Sequence, residues 1–286
     1  MMKKYHQIVI VFFYSLLILC KPVYADEPLP PTETPQQQNW AYSGLFGQYD
    51  KEQLRRGLQV YQEKCQACHS LNYLGFHQLT DVGGPELSID KARSIAAENV
   101  FPAINDMGEI IERPGTLADH FPSPFANTQE AIYLNNGKEP VDLTYITRAR
   151  GYDRGFPQSL FDMFTPYTDQ GSDYVFALLT GYSDAIPETE TTVFNRYFPG
   201  GMILMPKQLN DGDIEYPIDA TGKKAPETAE QYARDVTAFL AWTADPYLES
   251  RKNTGWIVLG YFTVFLVLLL ALNAQRKKIQ RAKEYQ

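Results

Sequence analysis

The stretch that most limits what this chain can fold into is CQACH, residues 65–69. Two thiols and an imidazole fall within about one helical turn, so whatever they bind must be held by a single turn of backbone. A disulfide closing so short a loop would remove little freedom from the unfolded chain. A dithiol redox pair belongs in a thioredoxin-like βαβ setting, which the flanking pattern lacks. Zinc needs further cysteine or histidine ligands, and the other histidines beyond the N-terminus, His77 and His120, have no ligand-like spacing. The pattern C-x-x-C-H is instead the attachment site of haem c. Each thiol forms a thioether with one porphyrin vinyl group, and the adjacent histidine then lies beneath the iron. One covalently attached haem c is expected, on Cys65 and Cys68, with His69 as an iron ligand.

A chain of 286 residues, 44% of them hydrophobic, is long and apolar enough to enclose such a group. Residues 1–25 read as a cleaved secretory signal: Lys3 and Lys4 lead an apolar run that ends at Val23-Tyr24-Ala25. Cleavage removes Cys20, and Leu19 before it argues against lipoprotein processing. Residues 255–273 carry no charge, long enough to cross a bilayer and without the polar face of a buried soluble helix. Arg276, Lys277, Lys278, Arg281 and Lys283 follow that run, against Arg251 and Lys252 before it. The positive-inside rule then predicts residues 26–254 as a periplasmic haem domain, 255–274 as a single transmembrane helix and 275–286 as a basic cytoplasmic tail of a bacterial inner-membrane protein.

Three of the 26 Lys and Arg lie in the signal and five in the tail, while of the 34 Asp and Glu only Glu284 lies outside residues 26–254, which leaves the external domain at about −15. That charge excludes nucleic acid as a partner and suits a basic protein, whose approach it would accelerate. The predicted architecture is mainly α with long irregular loops. Asp50 caps a helix that delivers Cys65; further helices are expected over 89–99, 128–135, 142–150, 173–181 and 228–242. Between about 70 and 130, Gly83-Gly84-Pro85, Pro102, Pro114-Gly115 and Pro122-Ser123-Pro124 predict wrapping loops, and Pro246 predicts a break before the membrane helix.

The second axial position separates electron transfer from chemistry at an open iron, because an occupied position excludes exogenous molecules. Met107, Met163, Met202 and Met205 compete for it, and a methionine is by default a core gap-filler. Met205 in YFPGGMILMPK follows a pliable Gly200-Gly201 turn and precedes rigid Pro206; Met202 shares that loop, and His120 would make a bis-histidine site. Arg148 and Arg150 in ITRAR are candidates for the haem propionates, which need cationic or hydrogen-bonding partners when buried.

Six blocks in order, RRGLQVYQEKCQACHSLNYL, RPGTLADHFPSPF, LNNGKEPVDLTYITRARG, DYVFALLTGY, YFPGGMILMP and ARDVTAFLAWTADPYLESRK, precede the membrane run. Together they resemble the cytochrome c1 family, the haem subunit of ubiquinol–cytochrome c reductase, over residues 50–275. The resemblance implies Cys65 and Cys68 as the thioether sites, His69 as proximal ligand and Met205 as distal ligand, so that the metal is held by His69 and Met205. It also implies that Arg150, Tyr61, Asn135 and Tyr174 line the haem or its propionates, with His120 structural. It implies an electron-transfer role without an independent catalytic site. Electrons would pass from a Rieske iron–sulfur protein to a cytochrome c acceptor, beside cytochrome b in a dimeric complex. Residues 151–172 are longer here than in mitochondrial members of the family.

Overall fold

The computed structural model describes residues 33–151, 156–157, 170–183, 191–219 and 222–284. The leader at 1–25, Met163 and most of the 151–172 segment lie outside those residues. The fold is mainly α, with a C-terminal apolar helix.

Its frame grows from the two clearest helical patterns. Helix α1, Lys51–Val60, begins where the Asp50 side chain accepts the Glu52 and Gln53 amides, two of the donors a first turn leaves open. Its inner face, Leu54, Gly57, Leu58 and Val60, packs on α6, Ala229–Ala244, whose first turn Thr228 caps through the Gln231 amide. The two helices approach most closely at Gly57, where a Cβ would lie 2.2 Å from the Asp235 carbonyl oxygen and 2.6 Å from the Phe239 Cβ. Any larger residue would force the helices apart. They run antiparallel: Arg56 meets Asp235 at 2.8 Å, while Tyr49, ahead of α1, donates its hydroxyl to the Ala241 carbonyl at 3.1 Å.

Around this pair lie the shorter elements: a 3₁₀ turn at Phe76–Thr80, α2 at Ile89–Ala97, α3 at Thr128–Leu134, α4 at Ile146–Ala149 and α5 at Gln170–Thr180. Phe76, Phe121, Tyr61 and Phe239 form a buried aromatic row, with ring centroids 4.4, 6.0 and 6.1 Å apart in that order. Trp40 is buried and donates its indole N–H to the buried Asp173 carboxylate at 2.8 Å.

Two features depart from the sequence expectation. Part of the predicted loop region is an antiparallel hairpin, β1 Val100–Ile104 with β2 Ile110–Pro114, in the register Ile104↔Ile110 to Val100↔Pro114. Phe101 and Ala103 of β1 are half-buried, but the exposed Val100 and Ile104 beside them are apolar too, so no apolar–polar alternation announces the strand. The helix expected over 142–150 shrinks to α4 because Asp142 accepts the amides of Asn72 and Thr144, a local alternative that competes with helix.

The break at Pro246 is present. The Asp245 amide closes α6 on the carbonyls of Ala241 and Trp242, and α7 starts afresh at Leu248. Helix α7 runs to Glu284, well beyond the expected 255–274 on both sides, and none of its apolar window is buried.

Candidate haem centre

Helix α1 continues into a π turn, Tyr61–Cys65, and the Gln66 amide reaches back to the Tyr61 carbonyl at 2.8 Å. The Cys65 carbonyl then accepts from Cys68 N at 3.1 Å and His69 N at 2.8 Å. One carbonyl thus winds both thiols and the imidazole into a single tight turn. Both cysteines are free, Cys65 half-buried and Cys68 exposed. Burial, with Cys68 beside it, pushes the Cys65 thiol up to about 12, the opposite of the lowered thiol of a redox pair.

The His69 ring is oriented from outside the motif. Its Nδ1 lies 2.7 Å from the Val141 carbonyl oxygen, an atom that only accepts, so Nδ1 is assigned the proton and Nε2 the lone pair. Among the described residues no hydrogen bond occupies Nε2. Burial lowers the proton affinity of the ring, outweighing the Val141 bond and the Asp142 charge, so the imidazole is held neutral as a ligand must be. Val141 itself is held in place through Asp142, which also accepts from the Ser70 hydroxyl at 2.8 Å, and through the bond from Leu143 N to Ser70 O at 2.9 Å. Tyr61, fully buried, donates its hydroxyl to the His69 carbonyl at 2.9 Å. A cavity of about 300 Å³ opens beside Cys68, bounded by Ser70, Pro124, Phe125, Val141 and Asp142. Two unpaired thiols at attachment spacing and an imidazole with Nε2 uncommitted fit haem c. No cluster of three or more His, Cys, Asp or Glu suited to another metal occurs among the described residues.

The methionines separate by environment. Gly200 and Gly201 sit at φ +78° and +77°, the left-handed region glycine enters without strain, and turn β3, Val193–Phe194, back against β4, Met202–Ile203. Met205 follows, half-buried, and its carbonyl accepts the Tyr182 hydroxyl at 3.0 Å. Met202 is at the edge of exposure and Met107 stands open at the β1–β2 turn. His120 is exposed and its backbone bridges Gly75. Tyr174 is buried on α5, its phenol pushed up by burial and pulled back by nearby Arg150, which is exposed at the end of α4. Asn135 donates its side-chain amide to the Ala131 carbonyl, ending α3. The Arg148 guanidinium pairs with Asp245, where α6 ends. Val141, Asp142 and Tyr182 were not anticipated in the site. Val141 takes part through its carbonyl group, which every residue has, so nothing in the side-chain pattern could reveal it.

The model of the Cytochrome C1 family matches residues 40–280. The chain belongs to the cytochrome c1 family. It is 43% identical to the cytochrome c1 of Blastochloris viridis, over 84% of this chain and 85% of that one. It is 39% identical to a mitochondrial cytochrome c1 haem protein of Arabidopsis thaliana, over 91% and 76%. The cytochrome b/c1 of Bradyrhizobium diazoefficiens is also 43% identical over 83% of this chain, which spans only 35% of that longer protein. Cytochrome c1 proteins carry one covalent haem c, and the chain is accordingly a haem-containing electron-transfer subunit of the bc1 complex, with α7 as its apolar span.

Proposed function

We propose that this subunit takes single electrons from the Rieske iron–sulfur protein and passes them to a cytochrome c, with haem tethered by Cys65 and Cys68 and ligated by His69 and Met205. The observation that carries this reading is the His69 ring, fixed through Nδ1 by Val141 with Nε2 left for a metal, directly beside two unpaired thiols. A bound haem c supplies the one-electron couple, and a thioether ligand raises its potential. The chain's own residues orient and shield. Val141 and Tyr61 hold the His69 turn, Tyr182 and the Gly200-Gly201 turn hold Met205, and Tyr61, Asn135, Tyr174 and Arg150 line the haem or its propionates, Arg150 with the positive charge. No side chain is asked to move a proton.

In this reading residues 1–25 are cleaved, 26–254 form the periplasmic domain, 255–274 cross the bacterial inner membrane and 275–286 remain in the cytoplasm. The basic tail supports that orientation. The anchor holds the domain at high effective concentration beside cytochrome b in a dimeric complex, and the acidic external domain steers a basic acceptor. Spectra of Met205→His and Met202→Leu test the ligand set. The first is expected to change the axial ligation and the second to leave it intact. Reduced protein that readily binds carbon monoxide at neutral pH would overturn the Met205 assignment.

A further inference from the structure

Residues 42–49 form a loop that departs from the core and returns to it beside the membrane helix. Its apolar tip faces outward: Leu45 is 53% and Phe46 78% exposed. Yet Phe46 is not loose. Its ring stacks on Trp256, with centroids 5.0 Å apart and planes 3° from parallel. Both sides of the loop are fastened to the same helix. Lys252 Nζ donates to the carbonyls of Tyr42 at 2.7 Å and Gly47 at 2.9 Å, and the Glu249 carboxylate accepts the Tyr49 amide at 2.9 Å. Tyr42 stacks in turn on the buried Trp40 at 5.6 Å. The loop is therefore bolted between the haem domain and α7 at a set height along the helix.

That height is readable from α7. Trp256 stands at the start of the uncharged run 255–273. From Trp256 to Asn273 a helix rises about 26 Å at roughly 1.5 Å per residue, close to the ~30 Å of a hydrocarbon core. Trp256 thus marks the layer where aromatic side chains collect at a membrane surface, and Phe46, stacked upon it, shares that layer. We propose that Leu45 and Phe46 form a second membrane contact, lying in the headgroup–acyl boundary of the bilayer that α7 crosses. Lipid is the occupant the structure favours over another protein. The tip is continuous with the wholly unburied apolar surface of α7 and lies at its entry point. The inference rests on α7 being the membrane anchor. Its consequence is orientational. Across the break at Pro246 one helix alone would let the haem domain tilt, whereas an anchor and a loop give it two points of attachment.

The test uses the haem-loaded full chain in a Cys20→Ser background, with Cys65 and Cys68 occupied by thioethers, so that Leu45→Cys supplies the single thiol for a spin label. Val258→Cys serves as the lipid reference and Ile218→Cys as the water reference. Ile218, 69% exposed, precedes α6, and α6 starts at the end of the frame away from α7. In phosphatidylcholine–phosphatidylglycerol vesicles the label at 45 is expected to be about tenfold less accessible to a water-soluble nickel chelate than the label at 218, and to gain collisions with dissolved oxygen as at 258. Accessibility at 45 equal to that at 218 would overturn the proposal, and so would protection that appears only in the assembled complex, which would assign the tip to another subunit. Failure of the whole chain to float with vesicles would instead defeat the anchor reading. An unchanged haem spectrum in each variant verifies folding, and Phe46→Cys repeats the measurement at the neighbouring position.

Discussion

The α1–α6 frame and the loops that hold the haem ligands are built differently. In the frame, the fully buried Asp235 carboxylate is answered by Arg56, Gln53 and Gln231, and Leu54, Tyr232, Phe239 and Trp242 are buried in the same core. In the loops, Cys68 is exposed, Met205 is half-buried, α4 is a single turn, and the β3–β4 ribbon has only two residue pairs. The frame pairs its buried carboxylate and buries its own apolar surface. The loops present half-covered sulfur and imidazole groups whose remaining surface a porphyrin would cover. Stability and ligand presentation are thus assigned to separate parts of the chain, joined by the π turn that carries α1 into the haem motif.

The severest way to break this comparison is to remove the haem. Cys65→Ala with Cys68→Ala is expected to abolish covalent haem and all electron transfer while leaving most of the helical circular dichroism, because the frame does not depend on the cofactor. Collapse of the helical signal in that variant would show the two parts to be one cooperative unit. Asp235→Ala attacks the other side. It leaves Arg56 without its buried partner, and such losses run to about 3–5 kcal/mol, less here because the Arg56 side chain retains 18% exposure. The unfolding midpoint should fall steeply in denaturant, with the haem spectrum of the folded protein unchanged.

The frame was largely legible in the sequence and the ligand environment only in part. Asp50, the apolar spacing of Leu54 and Leu58, and Pro246 announce their roles through side-chain type, and the structure has them as expected. CQACH announces a haem in the same way. The acceptor that orients His69 does not, since it is a carbonyl 72 residues away in sequence. Arg148 is similar: its charge is plain in the sequence, but the partner it meets, Asp245, lies 97 residues on. The β1–β2 hairpin was missed because its exposed positions, Val100, Ile104 and Ile110, are as apolar as the half-buried Phe101, so the sequence shows no alternation.

A smaller perturbation sharpens the contrast within the loops. Tyr182→Phe removes one hydrogen bond to the Met205 carbonyl and nothing else of the ring's packing. The loss should be about 1 kcal/mol, felt as a weakened methionine-ligand absorption band on warming rather than as a shift in global unfolding. An equal loss of global stability would place the Met205 loop inside the frame's cooperative unit.

The mildest effect concerns the turn at 113–121, which carries no ligand yet joins the exposed hairpin to the core at Phe121. Arg113 grips Asp119 through two bonds of 2.7 Å, and Asp119 also accepts the amide and hydroxyl of Thr116. The Arg113 bond, reinforced by Thr116, holds the Asp119 carboxyl well below its ordinary value, which is about 3.9 in an unfolded chain. A group depressed on folding stabilises the native state at pH values above its unfolded pKa and loses that contribution as pH falls towards the folded one. The stability difference between wild type and Asp119→Asn should therefore be full at pH 7 and shrink as the solution is acidified below about pH 4. It should be small throughout, because the Arg113 side chain is 37% exposed and water and salt screen such a pair. Denaturant midpoints for both proteins at pH 7, 4 and 3 measure it, and a difference that grew on acidification would mean that Asp119 is not held by Arg113 in solution.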